Sequence, residues 1–156
     1  MARDLKVIGI KGDASFDTLV EHFLSLGGDA VIMDPMFVCG KDHIISAVEH
    51  AKRAFENGTN RSKTVLTEIL IYAAGERQIS KALSKMRPKP GVKEYAVAVL
   101  DIEGDLGLES IGMERDDTIL LGTPEKAEAI GLRAVKDVPY EDLVLEEVAY
   151  MDVIKM

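Results

Sequence analysis

Val92-Lys93-Glu94-Tyr95-Ala96-Val97-Ala98-Val99-Leu100 is the stretch on which the fold turns. Its β-branched content and period of two predict a strand, with Tyr95, Val97 and Val99 on one face and small or polar residues on part of the other. Just before it, Arg87-Pro88-Lys89-Pro90-Gly91 ends a long helical pattern. A strand that follows helices, instead of other strands, predicts an α/β (α+β) domain.

Upstream, residues 41–87 read as three consecutive helices. Ile44, Val48, Ala51 and Phe55 line one face of the first, which Asn57-Gly58 ends. Asn60 or Ser62 is expected to cap the second, whose apolar stripe is Val65, Leu66, Ile69, Leu70 and Ala73. Gly75 separates it from the third, with Ile79, Ala82, Leu83 and Met86 expected inward. Further upstream, residues 5–11 predict an opening strand. Ser15 is expected to cap a helix over 16–26, stopped by Gly27-Gly28. A short strand, Ala30-Val31-Ile32-Met33, follows.

Downstream the pattern is weaker. Leu106, Leu108 and Ile111 suggest a short helix, and Thr118-Ile119-Leu120-Leu121 a strand. Thr123 before Pro124 pairs an N-cap with a first-turn proline. Pro139 opens a last helix with Leu143, Val144, Val148 and Met151 as its apolar set. With no internal repeat and no long linker, the expectation is one domain over 1–156. Its small central sheet, mixed or antiparallel, is flanked by helices.

The 156 residues are enough to bury roughly two thirds of the unfolded surface. No run approaches the roughly 18 apolar residues of a membrane helix. Met1-Ala2-Arg3-Asp4 leads straight into the first strand without the charged and apolar regions of a signal peptide. Cys39 is the single cysteine, which excludes an intrachain disulfide and a thiolate metal cluster. These features predict a cytoplasmic protein that does not bind membranes. One Gln and two Asn beside many Glu and Lys lean towards a thermophilic source.

Charge is distributed unevenly. The chain carries a net −8, yet residues 41–93 hold 11 basic and 5 acidic groups, a net of +6. Residues 94–156 sum to −11. A positive field in an acidic protein suits a polyanion or an acidic partner that meets one face. On the third helix Arg77, Lys81 and Lys85 fall at i, i+4 and i+8 and are expected to form a solvent stripe opposite Ile79, Leu83 and Met86. Lys52, Arg53, Arg61 and Lys63 lie near the other helix ends, and clustered cations of this kind position a phosphate backbone without reading bases.

Catalytic and metal motifs fail on spacing. Asp101-Ile102-Glu103-Gly104-Asp105 starts like a calcium loop, but position six is Leu106 and position twelve Gly112. His22, His43 and His50 do not form a close helical ligand pair, although His43 and His50 are spaced to share a helix face. There is no phosphate-binding glycine loop, dinucleotide fingerprint or recognisable nucleophile and base. No catalytic residue, metal or cofactor is assigned.

Two runs carry a resemblance. They are Ala47-Val48-Glu49-His50-Ala51-Lys52-Arg53-Ala54-Phe55-Glu56-Asn57-Gly58-Thr59-Asn60 and Leu66-Thr67-Glu68-Ile69-Leu70-Ile71-Tyr72-Ala73-Ala74-Gly75-Glu76-Arg77-Gln78-Ile79-Ser80-Lys81-Ala82. They resemble the small kinase-binding subunit of the archaeal KEOPS (EKC) complex, the TPRKB-like family. The distinctive part spans about residues 44–83. The segment Leu143 to Met151 is compatible with archaeal members, whereas Thr59-Asn60-Arg61-Ser62-Lys63 departs from the more usual turn.

The resemblance implies a non-catalytic accessory subunit of a complex that installs threonylcarbamoyladenosine on tRNA. Its partners would be the small atypical kinase/ATPase subunit, other KEOPS subunits indirectly, and the single-stranded 3′ CCA end of tRNA. On the matching motif, Asn60, Lys63, Arg77, Gln78, Ile79, Lys81 and Lys85 are the expected tRNA-binding residues. Lys63 and Lys81 would neutralise phosphate, Arg77 pair with phosphate or stack on a base, Gln78 meet a base edge, and Ile79 wedge beneath the CCA end. Asn60 is alternatively a helix cap. Tyr72 is either a stacking residue or core. Val148, Tyr150 and Met151 are expected at the kinase surface, or else dock the last helix onto the sheet. Two rivals stand beside this reading: an adaptor of the kinase without RNA contact, and a small-molecule-binding or enzymatic α/β domain.

Overall fold

The computed structural model describes residues 4–154. Met1, Ala2 and Arg3, on which part of the N-terminal reading rests, lie outside the described residues. Along the chain run β1 (Leu5–Gly12), α1 (Phe16–Ser25), β2 (Asp29–Met33), α2 (Lys41–Asn57), α3 (Val65–Ala74) and α4 (Ile79–Met86). There follow β3 (Glu94–Leu100), β4 (Met113–Arg115), α5 (Pro124–Ile130) and α6 (Tyr140–Ile154).

β3 is the strand its alternation predicts, and it is central. It pairs antiparallel with β1, from Leu5 opposite Leu100 to Lys11 opposite Glu94, and antiparallel with β2 on its other side. The four strands lie in the order β2-β3-β1-β4, every described pairing being antiparallel.

Both faces of this sheet are covered. Tyr95, Val97 and Val99 pack with Ile8, Ile10, Ile32 and the α1 residues Leu19 and Phe23. On the reverse face Ala96, Ala98 and Leu100 join Val7, Val31 and Met33 beneath residues of α2, α3, α4 and α6. The reverse face of β3 is therefore buried, where the sequence read it as partly small or polar. Ala96 and Ala98 leave little side chain between the sheet and the helical layer, so the helices come close to the strand backbone.

Local chemistry sets most boundaries. Ser15 accepts the Thr18 N–H at 3.2 Å and starts α1. Gly58 and Gly75 end α2 and α3 in the left-handed conformation, which a side chain would disfavour. Thr123 and Pro124 start α5 together.

Three expectations need correction. The cap of α3 is Thr64, which accepts the Thr67 N–H at 3.2 Å; neither Asn60 nor Ser62 fills that position. Residues 117–120 form a 3-10 turn, not a strand, because the Asp116 carboxylate accepts the Thr118 N–H at 3.1 Å and closes the backbone. The fourth strand is instead β4, three residues long, with one buried side chain, Met113. One inward residue leaves no alternation to detect. Leu108–Ile111 is likewise a 3-10 turn.

Candidate nucleic-acid and partner interface

The loop between α2 and α3 is organised by a carboxylate. Glu68, in the first turns of α3, is fully buried. Its carboxylate accepts the N–H of Arg61 at 3.1 Å, the N–H of Ser62 at 2.9 Å and the Ser62 hydroxyl at 2.8 Å. A buried carboxylate is tolerated only when its acceptor capacity is used, and here loop donors use it. The Asn60 carboxamide donates to the Ser62 carbonyl at 2.8 Å. Asn60 is thus a brace within the loop. Lys63 is exposed beside it and forms no ion pair among the described residues.

The segment between α3 and α4 comes alongside. Arg77 and Gln78 are exposed and precede the helix, with Gln78 at the N-cap position and making no capping bond with its side chain. Arg61, Arg77, Gln78, Ile79 and Ser80 line one shallow, open depression. Two arginines that are 16 positions apart in the sequence numbering thereby flank one apolar side chain, Ile79, which is 38% exposed. Arg61 was read as one of the cations near the helix ends but was not among the tRNA-binding residues expected from the resemblance. Its signal was present in the basic Arg61-Ser62-Lys63 run, but nothing in the sequence aims that loop at α4.

The expected cationic stripe on α4 is corrected. Arg77 lies before the helix starts, so it takes no part in the helical spacing. Lys85 is half-buried, with its ammonium donating to the Ala74 carbonyl at 2.8 Å and lying 5.8 Å from the Phe37 ring centre. Lys85 closes the C-terminal end of α3, where a cation is favoured by the helix dipole, so its ammonium is engaged within the domain. Lys81 alone keeps its expected place, exposed on the helix. The inward residues of α4 are Ala82 and Met86, whereas Ile79 and Leu83 face solvent, Leu83 being 41% exposed.

Tyr72 is core. Its ring is fully buried and lies 5.3 Å from that of His50, and its hydroxyl donates to the Asp152 carboxylate. The His50 Nδ1–H donates to the other oxygen of Asp152 at 2.6 Å. Burial first, and the Asp152 carboxylate second, push the Tyr72 phenol well above its ordinary range. This network ties α6 to α2 and α3 and makes Tyr72 unavailable for stacking on a base.

The expected kinase surface divides in the same way. Val148 and Met151 are fully buried in the core shared by the helices and the sheet, and α6 packs chiefly on α2 and α3. Tyr150 is 54% exposed, and Val153, which the sequence reading passed over, is 66% exposed. Glu146 and Glu147 are exposed on the same helix. This surface is apolar and acidic.

Elsewhere, His43 is fully buried on α2. Its Nδ1 accepts the Cys39 N–H at 3.1 Å, so its Nε2–H donates to the Ala73 carbonyl at 2.9 Å. Burial lowers its pKa to about 4. Burial likewise pushes the Cys39 thiol up. Among the described residues no group of three or more His, Cys, Asp or Glu is gathered to hold a metal. No described helix is long and apolar enough to cross a membrane.

An antiparallel sheet with helices on both faces, an open basic depression at two helix junctions and an acidic apolar helix face defines a domain suited to docking. The chain belongs to the family of kinase binding protein CGI-121, whose model matches residues 15–149. No curated protein matches it.

Proposed function

We propose that the chain is a non-catalytic accessory subunit of a KEOPS-type tRNA threonylcarbamoyladenosine-modification complex. In this reading it binds the small atypical kinase/ATPase subunit and recruits tRNA through the single-stranded 3′ CCA end. The kinase half is supported by the family, which is described as a kinase binding protein. The observation that carries the RNA half is the depression in which Arg61 and Arg77 flank Gln78 and Ile79. Phosphates are met by guanidinium groups, a base edge by the Gln78 amide, and a base face by Ile79.

The two partners are assigned to different surfaces by charge. A polyanion is favoured at the 61–81 surface and repelled by the C-terminal region, which carries the excess of carboxylates. The kinase is assigned to the exposed part of α6 at Tyr150. The setting for such a complex is the cytoplasm.

The rival is an adaptor whose basic surface meets an acidic protein face. Charge reversal at Lys81 separates the two. Lys81→Glu weakens tRNA binding and leaves kinase binding unchanged in the proposed arrangement. Loss of kinase binding with unchanged tRNA binding selects the adaptor.

A further inference from the structure

We infer that the RNA-binding surface continues past Ser80 along α4 into a second, apolar subsite that takes an unpaired base; this rests on the single-strand reading above. Continuity is the first ground. Ser80 lines both the Arg61–Arg77 depression and a neighbouring groove. Leu70 and Leu83 lie in that groove, which reaches Phe16 and Arg87. From Ser80 to Arg87 the chain advances about 10 Å along the helix, so these are two stations and not one.

Charge is the second ground. Together the two depressions are lined by Arg61, Arg77, Arg87 and Lys89, without a carboxylate, in a chain with 27 acidic and 19 basic residues. Lys89 is already engaged with Asp34 at 3.3 Å and with the Lys85 carbonyl at 3.0 Å. The remaining charge of this groove is the exposed Arg87 guanidinium, 6.0 Å from the centre of the Phe16 ring.

Chemistry is the third. Ile79 and Leu83 stand at i and i+4 and are both open to solvent. An aliphatic strip between arginines offers what a single strand needs: a surface for base faces and cations for phosphates. A base stacking at Arg87 and Phe16 extends a cation–π pair that already exists.

The test titrates the full chain, at about 0.1 M salt, with the trinucleotide CCA and with an octanucleotide ending in CCA. Wild type is compared with Arg87→Glu and Phe16→Leu, each checked for an unchanged melting curve. The octanucleotide is expected to bind at least about fivefold tighter than the trinucleotide. Both variants should abolish that gain and leave trinucleotide affinity unchanged; Phe16→Leu alters no charge, so its effect isolates stacking. Equal binding of the two RNAs, or a gain that survives both substitutions, overturns the second subsite while the tRNA-end reading stands. Failure of both RNAs to bind overturns both. A Glu-rich amphipathic peptide whose binding is lost in Phe16→Leu, with octanucleotide affinity unaffected, makes the groove a protein site and also overturns the proposal.

Discussion

Glu68 holds Ser62 by two bonds at once, accepting its backbone N–H at 2.9 Å and its hydroxyl at 2.8 Å from a fully buried position. The α2–α3 loop is consequently fixed to the first turns of α3, and Arg61 is fixed with it. Glu68→Ala leaves two loop N–H groups without their acceptor. The expected cost is ~2–4 kcal/mol, from hydrogen bonds to a charged group. Hydrogen exchange at Arg61 and Ser62 should accelerate more than exchange in the sheet. Unchanged protection at these two amides contradicts the clamp.

Lys85 and Lys81 are one helical turn apart and should behave differently. Lys85→Ala removes the donor to Ala74 and is expected to destabilise by ~1 kcal/mol. Lys81→Ala lies on the surface and should change stability by less than ~0.5 kcal/mol. Denaturant midpoints of the two variants measure the difference.

Stability should fall on acidification, through His43. Its folded pKa is lowered to about 4 from 6.5, so between those values the unfolded chain binds the extra proton. Stability is therefore full above the unfolded value and is lost as the pH falls from there towards the folded value. Between pH 7.5 and pH 5 the loss is ~2 kcal/mol. His43→Leu should be less stable at neutral pH, because Cys39 N–H and the Ala73 carbonyl lose their partner. It should also show a shallower acid slope in urea titrations. An unchanged slope contradicts this origin.

On α6, Met151→Ala opens a cavity in the core and should cost ~2–5 kcal/mol. Tyr150→Ala should leave stability within ~0.5 kcal/mol yet weaken kinase binding by ~2 kcal/mol, as truncation of an interface aromatic does. Calorimetry with the purified kinase subunit distinguishes the two. A Tyr150→Ala protein that binds the kinase as wild type does places the contact elsewhere.

The strands β1, β2 and β3 and the helices α1 to α3 were legible because period and capping agree. Tyr95, Val97 and Val99 alternate, Gly58 and Gly75 terminate, and Ser15 initiates. β4 was not legible, since Met113 is its one inward side chain. Thr118 to Leu121 misled because its β-like composition was overridden by the Asp116 side chain. At the candidate site, Arg77, Gln78 and Ile79 could be read as neighbours in the chain, but Arg61 enters only through tertiary packing. Glu68 reads as an ordinary polar helix residue until its loop donors are seen. The engagement of Lys85 is hidden for the converse reason: a lysine reads as solvated, yet its long stem lets the ammonium reach the Ala74 carbonyl.

In the proposed arrangement the Arg61–Arg77 depression receives the 3′ end of tRNA. Its most direct measurement is the affinity of the purified protein for intact tRNA and for tRNA lacking CCA, at about 0.1 M salt, with Arg77→Glu alongside. Binding is expected to be lost both on removing CCA and on reversing Arg77. Equal affinity for the two RNAs, unaffected by Arg77→Glu, contradicts it.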